Sequence, residues 1–177
     1  MKRPRAGKRT ASGGVFTVRT SAAEATQSIG QALGRLLRQA VLQDRTAVVV
    51  ALTGPLGSGK TCFIQGLARG LGAAGVVHSP TFTLIHEHPG AVPLHHVDLY
   101  RLSAPDVDGL GLEEVMDQAG VTAIEWPERA PNVLPPERLT IDLQFGEGAS
   151  VRCVRVVPAG ARYERLAAAL HQCVSSP

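Results

Sequence analysis

Aromatic residues are scarce in this chain: four Phe, two Tyr and one Trp among 177 residues. They are not interleaved with Lys and Arg, so the stacking platform of a single-strand nucleic-acid binder is missing. Cysteine is limited to Cys62, Cys153 and Cys173, an odd number without C-x-x-C spacing. That pattern indicates neither a disulfide framework nor a cysteine-based zinc site, and it fits a reducing, cytoplasmic compartment. No unbroken apolar run exceeds Ala47 to Leu52, whereas a membrane-spanning helix needs roughly 18 residues. Acidic residues are absent before Glu24, while Lys2, Arg3, Arg5, Lys8 and Arg9 crowd the first ten positions. Removing those five from 18 basic residues leaves 13 against 15 acidic ones, so the body has a net charge of −2 and carries no basic nucleic-acid footprint. Ala11-Ser12-Gly13-Gly14 stands where a signal peptide would need an apolar stretch, and no amphipathic helix marks a transit peptide.

What remains has the composition of a globular protein, 44% hydrophobic and 19% charged. A chain of this length can bury roughly 70% of its unfolded surface without disulfides or a structural metal. Residues 1–14 read as a basic, disordered tail and 15–177 as a single domain. Val15 to Arg19 alternates like a strand, and Ser21-Ala22-Ala23-Glu24 has the spacing of a capping box that would start a helix. Ile29, Leu33, Leu36, Leu37 and Val41 would form that helix's core stripe. Thr46 to Leu52 is β-branched without alternation, the pattern of a strand buried on both faces of a parallel sheet. Ile64, Leu67 and Leu71 predict a second helix, stopped by Gly70 and Gly72. Val76-Val77, Thr81 to His86 and Val92 to Asp98 look extended, one or two short helices fit between Pro105 and Gly120, and Val121 to Glu125 reads as another buried strand. Arg138 to Phe145 and Val151 to Val157 alternate like antiparallel strands, and Tyr163, Leu166, Leu170 and Val174 predict a closing helix. The fold expected is α/β, a P-loop NTPase-like mixed sheet flanked by helices.

Gly54-Pro55-Leu56-Gly57-Ser58-Gly59-Lys60-Thr61 is a complete G-x-x-x-x-G-K-T match between a buried strand and a helix, the setting in which the pattern becomes a phosphate site. Glycines let successive N–H groups face one phosphate, and the helix adds its positive end. Lys60 has the reach for the β and γ phosphates, and the Thr61 hydroxyl can ligate Mg²⁺. Hydrolysis also needs carboxylates. Asp98 and Glu125 each follow a predicted strand, and strands parallel to the one before Gly54 would deliver both acids to the γ phosphate.

Between them lies Ser79-Pro80-Thr81-Phe82-Thr83-Leu84. Its hydroxyls either sense the γ phosphate, as switch segments do, or reflect the strand propensity of alternating threonines. His86, His88, His95 and His96 allow a transition-metal site in principle, although nucleotide-bound Mg²⁺ prefers oxygen ligands. Cys62 reads as a helix residue packed inward. Trp126 is equally suited to core filling and to lining the site.

Taken together, Gly54 to Thr61, Ser79 to Leu84, His96-Val97-Asp98-Leu99-Tyr100-Arg101, Gly111-Leu112-Glu113-Glu114 and Glu125-Trp126-Pro127 resemble, in order and spacing, the TsaE family, in older usage YjeE. The resemblance covers roughly Val15 to Val157 and implies a bacterial P-loop ATPase required for threonylcarbamoyladenosine formation on tRNA. It implies ATP and Mg²⁺ as ligands, slow hydrolysis alone, and a reset role beside the partners TsaD and TsaB, with tRNA met through the complex. By matching position, Gly54 and Leu56 to Thr61 would hold the phosphates, Thr61, Glu125 and Asp98 the Mg²⁺, Ser79 and Thr81 the switch, and Trp126 the flank, with Lys60, Asp98 and Glu125 catalytic. Pro55 departs from the acidic residue many members carry there. A small P-loop metabolite kinase is the competing expectation, with Arg101 and Arg129 the only basic residues close to the motifs.

Overall fold

The computed structural model describes residues 14–80, 83–107 and 109–175. The basic segment 1–13 and Thr81 therefore lie outside the described residues. Seven strands form one mixed sheet: β1 (Phe16–Thr20), β2 (Ala47–Thr53), β3 (Ile85–His88), β4 (Leu94–Asp98), β5 (Gly120–Glu125), β6 (Arg138–Phe145) and β7 (Arg152–Ala159). Their spatial order is β1-β7-β6-β2-β5-β4-β3. β2 lies parallel to both β5 and β6, and β4 is parallel to β5. β7 runs antiparallel to β6 and β1, and β3 antiparallel to β4. The helices are α1 (Ala23–Asp44), α2 (Lys60–Leu71), α3 (Ala104–Val107), α4 (Leu112–Met116) and α5 (Ala161–Ser175). Among the described residues no helix is long and apolar enough to cross a membrane.

Two hydrophobic clusters sandwich the sheet. On one face Leu33 and Leu37 of α1, Phe63, Ile64 and Leu67 of α2 and Leu170 of α5 pack on Val48, Val50 and Leu52. On the other, Leu112 and Met116 of α4 pack on Val49, Val97 and Ile124. The period-two split of β2 between the clusters explains why its apolar run shows no alternation: both faces are dry. Of the expected α1 stripe, Ile29, Leu33, Leu37 and Val41 are buried and Leu36 is half-buried at the edge.

Three local expectations need correction. The capping box does not form: α1 starts at Ala23 with Ala22 as an extended N-cap lacking a side-chain cap bond. Instead Thr20 and Thr26 share a buried hydroxyl hydrogen bond of 2.8 Å that pins the turn out of β1. Gly70 does not stop α2, which ends at Leu71 with Gly72 in the left-handed region. Gly70 is instead a contact surface: a Cβ there would lie 2.2 Å from the Gln31 carbonyl oxygen, and one on Gly66 would lie 2.0 Å from that of Gln27. Gly30 and Gly34 offer the matching face of α1, so the two helices meet backbone to backbone. Finally, Thr83 belongs to a turn, its N–H donating to the Pro80 carbonyl at 2.9 Å, and β3 begins only at Ile85 after Leu84 at φ 66°.

Candidate functional site

The site starts where β2 ends. Gly54 has φ 128°, and a Cβ on it would lie 2.0 Å from the Leu143 carbonyl oxygen of β6, so only glycine fits. The chain then curls through Gly57 (φ 76°) to Gly59 (φ 104°), the N-cap of α2. The first-turn N–H groups of α2 have no intrahelical acceptors, which makes this helix end suited to an anion. Ser58 in the bend is fully buried, its hydroxyl without a hydrogen-bond partner.

Lys60 is almost completely buried. Its ammonium donates to the carbonyls of Gly54 at 2.8 Å and Pro55 at 3.0 Å and sits 3.8 Å above the Trp126 ring. Burial lowers its pKa below the ordinary lysine value, opposed by the nearby charges of Glu125, Glu128 and Asp98. Trp126 follows β5 directly at φ 59° and stacks on Tyr100 with ring centroids 4.9 Å apart. It both lines the site and packs against the cluster beneath α4.

Asp98 and Glu125 end the adjacent parallel strands β4 and β5 and are paired in register. The Thr61 hydroxyl donates to Glu125 Oε1 at 2.8 Å, tying the start of α2 to the end of β5. His96 Nε2 lies 2.9 Å from the same oxygen. The Ser79 hydroxyl donates to Asp98 Oδ2 at 2.8 Å and the Tyr100 N–H to Oδ1 at 3.0 Å. The Asp98 N–H in turn donates to the Leu84 carbonyl at 2.9 Å.

Leu56, Gly57, Gly59, Lys60, Thr61, Ser79, Asp98, Glu125 and Trp126, all expected from the sequence, line one cleft of about 340 Å³. Gly54 and Ser58 shape the loop behind it. A larger cleft of about 490 Å³ lies at the opposite, amino-terminal end of β2, between Ala47, Glu113 and Arg162. Ligands in open α/β sheets bind beyond the carboxyl ends of strands, which favours the smaller cleft. Its donors suit Mg²⁺: one hydroxyl and two carboxylates beside a phosphate cradle, the hard-oxygen set that this ion shares with substrate phosphates. The histidines do not form a transition-metal site, since among the described residues no three His, Cys, Asp or Glu groups are arranged to hold a metal. Cys62 lines the cleft half-buried, donates to the Ala23 carbonyl at 3.4 Å and has its pKa raised by burial, the opposite of a reactive thiolate.

A family model described as threonylcarbamoyl adenosine biosynthesis protein TsaE matches residues 20–153. The chain belongs to the TsaE family. The tRNA threonylcarbamoyladenosine biosynthesis protein TsaE of Treponema pallidum (strain Nichols) is 42% identical over 123 residues, which cover 69% of this chain and 86% of that protein. The Bacillus subtilis (strain 168) protein of the same description is 43% identical over 119 residues, covering 67% and 74%. The crystal structure of Bacillus subtilis YdiB superposes with a TM-score of 0.74 at 33% identity, covering 90% of this chain and 95% of that one. The TsaE match contains every named residue of the cleft beside Lys60 and ends within β7, so α5 falls outside it. Sequence reasoning missed two features of this TsaE chain: the Tyr100 ring against Trp126 in the cleft, and the buried His96 behind it as a partner of Glu125. The spacing H-x-D puts His96 on the face of Asp98, but its reach to Glu125 depends on the register of β4 against β5.

Proposed function

We propose that this chain binds ATP with Mg²⁺ in the cleft above β2, β4 and β5, hydrolyses it slowly, and serves tRNA threonylcarbamoyladenosine formation as a switch that resets a complex with TsaD and TsaB homologues in the cytoplasm. The observation that carries this reading is the convergence of Lys60, Thr61, Asp98 and Glu125, from separate stretches of chain, on one cleft at the carboxyl ends of parallel strands.

Each residue's task follows from its chemistry. Gly54 and Leu56 to Thr61 would cradle the phosphates through backbone N–H groups and the end of α2. Lys60 would turn its ammonium from the Gly54 and Pro55 carbonyls toward the β and γ phosphates. The Thr61 hydroxyl and the Glu125 and Asp98 carboxylates would hold Mg²⁺, which would supply positive charge against that developing on the phosphates. Asp98 would do so in the Walker-B-like role. Ser79, hydrogen-bonded to Asp98, and Thr81 would report on the γ phosphate, and Trp126 would flank it.

The test is the fate of labelled phosphate. Incubation with γ-labelled ATP and Mg²⁺ is expected to release free phosphate, faster with TsaD and TsaB homologues present. Label on a small metabolite would instead establish a kinase. Unchanged hydrolysis in both Asp98→Ala and Glu125→Ala would refute the residue assignment.

A further inference from the structure

Glu125 Oε1 takes two donors at once: the Thr61 hydroxyl at 2.8 Å and, at 2.9 Å, the His96 ring. A carboxylate only accepts, so this hydrogen bond runs from His96 Nε2–H to Glu125 Oε1. Among the described residues Nδ1 is buried and without a hydrogen-bond partner, so Glu125 is the partner there that orients this fully buried ring. Register explains the geometry. His96 lies two residues before Asp98 on β4, hence on the same sheet face, and Asp98 is the ladder partner of Glu125. His96 therefore stands one pleat behind the two acids, backed by the His88 ring 6.5 Å away.

A glutamate carboxyl rotates over a broad torsional well unless something holds it. We infer that His96 is a positioning residue: its Nε2–H fixes Oε1 of Glu125 so that the carboxylate faces Thr61 and Mg²⁺ in one orientation. This rests on the reading of Glu125 as a magnesium ligand. Partners in the shell behind a metal ligand are typically worth 10- to 100-fold in metal affinity, so the effect falls within measurable range.

Two substitutions separate positioning from mere polarity. In His96→Gln the amide nitrogen falls near the position of Nε2 and can still reach Glu125; in His96→Asn it falls near Nδ1 and cannot. Equilibrium dialysis with labelled ATP, in excess Mg²⁺ and in EDTA, reads the metal's share of the affinity without requiring turnover. His96→Asn is expected to lose about tenfold or more of the Mg²⁺-dependent gain while binding ATP in EDTA like the unsubstituted chain, and His96→Gln to keep most of it. Thermal midpoints without nucleotide register the packing cost separately. Glu125→Gln serves as the control. Should it abolish the Mg²⁺ gain while His96→Asn leaves that gain intact, the positioning role is overturned and the metal-ligand reading stands. Should Glu125→Gln itself leave the gain intact, the metal-ligand reading falls, and the positioning role with it.

Discussion

Lys60 keeps an ammonium in a nearly closed position by sharing it between two carbonyls and an indole face. The proposed binding of triphosphate takes the cation off the ring, so magnesium nucleotide is expected to change the emission of Trp126, the sole tryptophan; a flat titration at saturation would remove Trp126 from the site. On the same footing, Lys60→Ala and Glu125→Ala are each expected to lower hydrolysis by on the order of 100-fold or more, measured as phosphate release, because the first removes a cation aimed at the phosphates and the second a ligand of the metal proposed to neutralise them. His88 makes a separate prediction. Burial, with the fields of His86 and His96, lowers its pKa. As pH falls through about 6.5 the unfolded chain therefore takes up a proton that the folded chain refuses. Stability is expected to drop as pH falls below neutrality, and His88→Gln to flatten the slope of thermal midpoint against pH between 7.5 and 5.5.

Among the elements, α1 and α2 carry the tightest tolerance. Gly34 meets Gly70, Gly30 meets the backbone of Phe63 and Leu67, and Gly66 meets that of Gln27, with no room for a methyl group at any of the four glycines. Since α2 begins with Lys60 and Thr61, its seat on α1 also sets the height of the phosphate cradle. Gly66→Ala is expected to cost roughly 1–3 kcal/mol by overpacking, or more if the helices cannot shift. The thermal midpoint and labelled-ATP affinity should fall together, whereas an exposed change such as Leu42→Ala should move neither. These glycines were visible in the sequence, yet Gly70 read as a helix stop, because a glycine's propensity to end helices is local while its use in close approach depends on a partner 36 positions earlier, at Gly34. The P-loop and the acids ending β4 and β5 were legible for the converse reason: each carries its signature within a few neighbouring residues. The clasp between His96 and Glu125 needed the register of two distant strands, which no local pattern encodes.

For the molecule as a whole, ligand binding and stability are linked. A nucleotide that binds only the folded chain, at a hundred times its dissociation constant, contributes about 2.7 kcal/mol. In a protein of this size that raises the midpoint by roughly 5–10 °C, a shift expected with ATP and Mg²⁺ and absent in Lys60→Ala. In pull-downs with TsaD and TsaB homologues, capture is expected to depend on nucleotide; equal recovery with and without ATP would argue against a switch.

Ser79 and Leu84 are both fastened to Asp98, the Ser79 hydroxyl donating to its side chain and the Leu84 carbonyl accepting from its main-chain N–H. The two fastenings differ in kind, for the second belongs to the strand backbone and the first to a carboxylate that can swing. If Asp98 holds the metal as proposed, a carboxylate drawn toward the cation would strain the Ser79 bond first and leave the Leu84 bond, made to the main chain, undisturbed.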